Sequence, residues 1–460
     1  VATRDALNRF AAAYAAEDYG NVYFNNDEND LWGMELKYNS KSTQLGNNDP
    51  LQSTKLYNGN IAEMHWKSAG DQQRRAYGYR YDGLNRLTAA TYKAFNYNNE
   101  LWDQEVNRYS VPQITYDLNG NIGSLQRKGF TAGDLVNPVF STTDDLSYTY
   151  SGDQLLAVSD AATYYSNDFN DGNQSGNDYG YDVNGNLTAD LNKGITISYN
   201  HLNLPLEVSK DATHKVEYIY AANGTKLQKT ITDGSTVTVT DYSVIGNYAN
   251  NNLDFIFTGE GRAVDDNGTW RYEYYYKDQV GNTRLGFSDY DADEVVDETE
   301  ITQQQNYYPF GLEHKGTDYG VATQTTHKYL YNGKELQDEL ALNWIDYGAR
   351  NYDVAVGRWF NVDPLCEDFF SWTSYHYVHN NPINMFDPDG RSASPIYNRD
   401  GELLGTDDQG LQGKAIVMDK ENFKQGMTHE QALNKSLGAE GLKNDAAKTK
   451  LLDSYNSLSE

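Results

Sequence analysis

Residues 77–90 read YGYRYDGLNRLTAA, residues 114–125 ITYDLNGNIGSL and residues 179–190 YGYDVNGNLTAD. One phrase underlies all three: tyrosines at alternate positions, an Asp, a short Asn/Gly run, then Leu or Ile opening a second alternating stretch. Looser copies begin at Leu56, Tyr148, Ile197, Val216 and Tyr272. Alternation places every second side chain on one face of a strand, and Asn and Gly tolerate the positive φ of a tight reversal. The phrase therefore predicts a β-hairpin, and its repetition predicts an extended all-β ribbon built by addition of like units.

Composition fits a thin, wetted sheet. Hydrophobic residues make up 38% of the 460 residues and mean hydropathy is −0.77, too polar for a thick aliphatic core. Thirty-nine tyrosines compensate, each burying a ring while keeping a hydroxyl for a polar partner. The net charge of −29 lies almost wholly in residues 1–390, which carry −27. So acidic a surface repels phosphate backbones, which argues against nucleic-acid binding by the repeats; it also discourages edge-to-edge aggregation. The single cysteine, Cys366, excludes an intramolecular disulfide and leaves the compartment open. No apolar run reaches the ~18 residues of a membrane span. The text at Val1 reads as mid-domain and shows no signal peptide, so any export signal is expected outside this sequence.

The opening DALNRFAAAYAAEDYG is Ala-rich and predicts a short helix ended by Gly20. Strand-turn text then continues to about Phe310, where the phrase NYYPFGL (306–312) puts Pro after two aromatics and favours an extended entry and a turn. From Lys328 the sequence turns more aromatic and changes pattern, through KYLYNGKEL to DPDG at Asp387–Gly390. The tail, 391–460, keeps two tyrosines and no tryptophan. It predicts a hairpin over Ile396–Leu404 around Asp400-Gly401, then a helix capped by Thr428 with Gln431 three residues on. The division expected is a repeat region over 1–327, a core over 328–390 and a variable segment over 391–460, the start of an effector region.

The ordered string Arg350-Asn-Tyr352-Asp353, Gly357-Arg358-Trp359-Phe360, Asp363-Pro364, Tyr375-x-Tyr377, Asn380-Asn381-Pro382-Ile383-Asn384 and Asp387-Pro388-Asp389-Gly390 closely resembles the core of the rearrangement-hotspot (Rhs) and Tyr-Asp-repeat family. With the repeats, the resemblance covers about residues 56–390. It implies part of a hollow β-cocoon of the Rhs and Tc-toxin kind, closed by the core as an inward-turned plug. It further implies a secreted or surface-exposed bacterial toxin protein that encloses and delivers its own C-terminal effector. Partners implied are that segment and an N-terminal shell or secretion component. The alternative is a surface adhesion or carbohydrate-binding repeat protein, with exposed Tyr and Trp stacking on sugars.

Two carboxylates held close can divide acid and base roles, because one pKa rises while the other group stays ionised. Asp363 and Asp387 match the family's aspartate pair for self-cleavage just after the core. The resemblance places the bond at Arg391–Ser392. Arg358 is the candidate carboxylate clamp, by its bidentate geometry, or else it stacks on an aromatic. The chain departs from the cleaving pattern, which continues Asp-Pro-x-Gly-Leu: Leu365-Cys366-Glu367 follows the first Asp-Pro, and Arg391 stands where Leu is usual. The competing reading is that both Asp-Pro pairs only initiate turns. At most, the chain is a self-cleaving aspartic-type protease.

Asp289, Asp291, Asp293, Asp297 and Glu300, with the Val295 carbonyl, have the oxygen spacing of a twelve-residue calcium loop, the one cofactor considered. Glu294 occupies the position that should be Gly, and a solvated acidic hairpin tip is the other reading. His376 and His379 have no further ligands beside them in sequence, and on a strand they would face opposite sides. Cys366, beside Glu367 and Asp368, has its thiolate disfavoured.

Overall fold

A computed structural model describes residues 31–391 apart from 43–48, 107, 135–136, 163–167, 267, 291–295, 317–326 and 369–371, together with short stretches between 396 and 450. The expected helices at the N-terminus and from Thr428 begin outside the described residues. The described chain is almost entirely antiparallel β-structure. Sequential strands form a five-stranded sheet from Trp32–Lys37 to Leu101–Gln104 and a four-stranded sheet from Gln113–Tyr116 to Gln154–Asp160. A thirteen-stranded sheet follows, from Tyr179–Tyr181 to Ile301–Gln304. Each strand pairs with its neighbours in sequence. The Ala90–Val111 bridge joins the first sheet to the second. Asp178 joins the second to the third, its amide donating to Leu156 O at 2.8 Å and its carboxylate accepting from Val158 N at 2.7 Å.

The repeated phrase builds a more specific turn than the two-residue hairpin its Asn-Gly signal predicts. In DLNGN (117–121), Gly120 N donates to Asp117 O at 3.3 Å and Asp117 N to Asn121 O at 2.9 Å. The same pair of bonds closes the turns starting at Asp82, Asp182, Asn200, Ala221 and Asp278. Positive φ falls on the fourth position alone: Asn85, Gly120, Gly185, Asn203, Gly224 and Gly281. These are three-residue loops ending in a left-handed residue, and the strand register slips just before each one. The leading Asp holds the loop from inside. Asp182 Oδ1 accepts from Asn184 N and Asn186 N at 2.9 Å, and its Oδ2 from Asn186 Nδ2 at 2.9 Å. Asp182→Ala should therefore cost on the order of 1–3 kcal/mol in chemical denaturation. Asp182→Asn should be nearly neutral, because Asn200 makes the same backbone bonds in its own loop.

In four hairpins the tyrosine just before the loop ties its hairpin to the previous one. Tyr81 OH donates to Ile61 O (2.9 Å), Tyr116 OH to Leu87 O (2.6 Å), Tyr150 OH to Ile122 O (2.8 Å) and Tyr199 OH to Leu187 O (2.6 Å). Each acceptor is the residue just after the preceding tip or in the strand it opens. A hydroxyl that is buried must find a partner, and here it finds the carbonyl one repeat back. Tyr77, Tyr79, Tyr92, Tyr148, Tyr179 and Tyr218 are buried on the concave face.

The ribbon curls until its ends meet. Ser68 Oγ donates to Gln304 Oε1 at 2.9 Å, Trp32 stacks on Tyr276 at 6.5 Å, and Arg284 lies 5.0 Å over Trp66. Inside the curve runs the segment from 328 to 390, with a small sheet over Glu335–Gln337, Trp344–Asp346, Asn351–Asp353 and Arg358–Trp359. Trp344, Tyr352, Trp359 and Tyr377 are buried in one apolar cluster with the ribbon's inner side chains. The same segment lies along the row of hairpin tips. Thr373 N donates to Asn119 O (2.7 Å), Asn380 Nδ2 to Gly120 O (2.8 Å), Tyr375 OH to Gly185 O (2.7 Å) and Asn361 Nδ2 to Asn186 Oδ1 (2.7 Å). Two of the glycines at the fourth loop position, Gly120 and Gly185, serve twice. Besides its positive φ, Gly185 leaves no room for a Cβ, which would lie 2.6 Å from Val362 and 2.7 Å from the Tyr375 hydroxyl.

In the tail, Ile396–Tyr397 and Leu403–Gly405 pair as an antiparallel hairpin, and Ile416–Val417 adds to Ile396–Tyr397 in parallel. Among the described residues no helix is long and apolar enough to cross a membrane.

Candidate active site

The two Asp-Pro turns meet although 24 residues separate them in sequence. Asp363 N donates to Ser374 O at 2.9 Å, and Asp363 Oδ1 accepts from Leu365 N at 2.8 Å, which closes the first turn. In the second, Asp387 Oδ1 accepts from Asp389 N (3.2 Å), Gly390 N (2.8 Å) and Arg391 N (3.1 Å). The second oxygen of each carboxylate faces one guanidinium nitrogen: Arg350 Nη2 lies 2.8 Å from Asp363 Oδ2 and 3.3 Å from Asp387 Oδ2. All three side chains are buried, and Arg350 stacks on Trp359 at 4.1 Å.

Arg350 also grips the backbone beyond the core. Its Nε donates to Gly390 O at 2.5 Å and its Nη2 to Arg391 O at 2.7 Å. Ala349 N holds Asp389 O at 3.0 Å, and Lys334 Nζ donates to Pro388 O. Four consecutive carbonyls, 388 to 391, are thus each fixed by a donor, while Asp387 binds three consecutive amides. Gly390 is required for this approach: it has φ +81, and a Cβ there would lie 2.9 Å from Arg350 N. Arg350 Nη1 is buried and makes no hydrogen bond, leaving one cationic donor available beside the two carboxylates.

Burial pushes the Asp363 carboxyl above its ordinary range, with Asp387 adding to the rise and Arg350 opposing it. Asp389 is raised to about 6, by burial and by Asp387. Cys366 is pushed up by burial and by the charges of Asp363 and Glu367, which disfavours its thiolate.

The clamp assigned to Arg358 belongs to Arg350. Arg358 bonds Asn121 Oδ1 (2.9 Å), Tyr150 OH (3.2 Å) and Asp153 O (2.7 Å), and stacks on Tyr150 and Tyr375. It fastens the core to the ribbon, away from the acids. The sequence did carry a signal for Arg350, the only cation between Lys334 and Arg358 in a run holding five acids and many apolar residues. A charge buried there needs a carboxylate. Arg391 is exposed and pairs with Asp389 at 3.5 Å; Ser392 lies outside the described residues.

His376 and His379 are not on opposite sides as a strand would place them. The chain turns at 378–380, and the two rings lie 4.8 Å apart beside Trp372. Among the described residues no group of three metal-ligating side chains occurs.

Of the calcium candidates, Asp291, Asp293 and Val295 lie outside the described residues. Asp297 and Glu300 form a capping box: Asp297 Oδ1 accepts from Thr299 N at 2.8 Å, and Glu300 accepts from Tyr290 N (2.5 Å) and Asp297 N (3.2 Å). Asp289 precedes this loop. These bonds need no cation and suit the acidic-tip reading of the loop. The expected result is a melting temperature unchanged by millimolar calcium or by chelator.

Fold and site together define a curled β-ribbon whose inner segment holds an acid pair against the chain's own backbone. No family profile matches the chain. It is similar to toxin subunit YenC1 of Yersinia entomophaga, 32% identical over 121 residues, covering 25% of this chain and 11% of that protein. It is similar to the tRNA3(Ser)-specific nuclease WapA of Bacillus spizizenii, 25% identical over 309 residues, 63% of this chain and 11% of that one. Salivary gland surface protein 1 of Aedes aegypti is 32% identical over 129 residues, 27% of this chain and 3% of that protein. Among solved structures, TcdB2-TccC3 aligns over 72% of this chain and 18% of its own, with 20% identity and a TM-score of 0.48. Two of these sequence relatives are thus, by name, a toxin subunit and a nuclease. The chain spans only a small part of each curated relative it matches, from 3% to 11% of their length.

Proposed function

We propose that this chain is the closing part of a toxin-related shell, whose core seals the ribbon and cuts the chain between Arg391 and Ser392 to release the segment beyond. The observation that carries this reading is Arg350. One guanidinium touches both carboxylates and the carbonyl of the bond assigned to cleavage, an arrangement that plain turn formation does not require. In the reaction, Arg350 polarises Arg391 C=O and stabilises the oxyanion, a role to which its unpartnered Nη1 adds a second donor. One carboxylate takes a proton from water as the water oxygen bonds to the Arg391 carbonyl carbon. Asp363, with its raised pKa, supplies the proton to Ser392 N as the C–N bond breaks. Water thus yields an Arg391 carboxylate and a free Ser392 amine. In this reading the delivered effector begins with residues 392–460, the full protein is secreted from a bacterium, and further ribbon completes the enclosure. The relatives that are toxin subunits support this reading.

Asp363→Asn and Asp387→Asn keep shape but remove the acid. Each should leave the chain intact on a denaturing gel under conditions where the parent chain breaks. Cleavage persisting in both variants would show that the pair is structural.

A further inference from the structure

Lys334 caps the turn Tyr331–Gly333, its amide donating to Tyr331 O at 2.9 Å. The neighbouring residues of that phrase have clear structural work. Asn332 accepts from the hydroxyls of Tyr347 and Tyr377, and Glu335 binds Lys226, Lys229 and Tyr242 on the ribbon wall. Lys334 instead runs inward, its ammonium 5.6 Å from the centre of the Tyr347 ring, and donates to Pro388 O. Burial holds that ammonium below the ordinary lysine range; Asp387, Asp389 and Asp346 oppose the shift and Lys277 adds to it. Desolvating a lysine to hold one backbone carbonyl is costly if packing is all it achieves. Its bond is the first of the four that fix carbonyls 388 to 391, and it bears on the residue next to Asp387.

We propose that Lys334 is a positioning residue for self-cleavage, setting the second Asp-Pro turn so that Asp387 and the Arg391 carbonyl both reach Arg350. This rests on the self-cleavage reading, yet its geometric content is measurable without it. In full-length protein carrying Asp363→Asn, amide hydrogen exchange at Asp389, Gly390 and Arg391 reports the bonds to Asp387. Lys334→Met should speed exchange there at least tenfold while leaving the ribbon unchanged, and Lys334→Arg, which keeps a cationic donor, should restore most of the protection. In chain with Asp363 intact, Lys334→Met should slow cleavage at least tenfold with the same product ends, and Lys334→Arg should recover it. Unchanged exchange and unchanged cleavage in Lys334→Met would overturn the proposal, as would loosening spread evenly over the whole core. If the parent chain never cleaves, the self-cleavage reading fails, and the exchange comparison still decides whether Lys334 positions the turn.

Discussion

Arg350→Met is expected to abolish cleavage and to lower unfolding free energy by about 3–5 kcal/mol, the cost of stranding buried charge. Two carboxylates, Asp363 and Asp387, lose their shared cation, and the Gly390 and Arg391 carbonyls lose their donor. The triple variant Arg350→Met, Asp363→Asn, Asp387→Asn removes every charge of the set and should regain a good part of that stability while remaining inactive. Denaturant unfolding of the two variants checks both statements. Equal stability of single and triple variants would mean that the three groups do not act as one buried unit.

The second large effect is acid sensitivity arriving in two stages. Burial lowers His379 to about 4, and burial with Arg262 and Lys277 lowers His327 to about 3. His314 and His376 are also held well below the usual range, chiefly by burial. These rings are neutral in the fold but protonate near 6.5 when exposed, so the unfolded chain gains protons first as pH falls. Stability should decline from about pH 6.5 downward, His379 alone accounting for on the order of 3 kcal/mol by pH 4. Two carboxylates add the second stage. Against burial, hydrogen bonds from His65, Ser53 and Ser42 hold Glu63 down to about 2, and Lys226 and Lys229 do the same for Glu335. Their contribution is full above about pH 4.5 and is lost as pH falls toward 2. Asp363 and Asp389, whose carboxyls are raised in the fold, bind protons more readily folded than unfolded and oppose part of this decline. The decisive quantity is therefore the difference in denaturant midpoint between the parent and His379→Gln at pH 7.5, 6, 5 and 4, which should shift in favour of the variant as pH falls; a difference that stays constant over that range would contradict the buried-histidine account.

The ribbon was legible because its signals are local. Alternating tyrosines and a turn phrase such as Asp117–Asn121 act within a few residues of one another. The turn geometry was less so: Asn-Gly is the mark of a two-residue hairpin, whereas here the Asp side chain and a register slip impose a three-residue loop. The acid pair was legible through its prolines and through resemblance. Arg350 was harder to read, because its bonds to Asp363 and Asp387 span 13 and 37 residues, and its one local sign is that it is the lone cation of an apolar, acid-bearing run, whereas Arg358 bonds Asp153 and Tyr150. For the same reason, the neighbouring rings of His376 and His379 depend on a left-handed turn at 378–380 that no local residue announces.

The most direct test is the intact mass of the purified full-length chain, followed over days between pH 5 and 8. The account predicts two species whose masses sum to the parent plus one water. One should end at Arg391 and the other begin at Ser392, and neither should appear in Asp363→Asn or Arg350→Met. A parent mass that never changes, or a break at another bond that the Asp363→Asn variant shares, would contradict it.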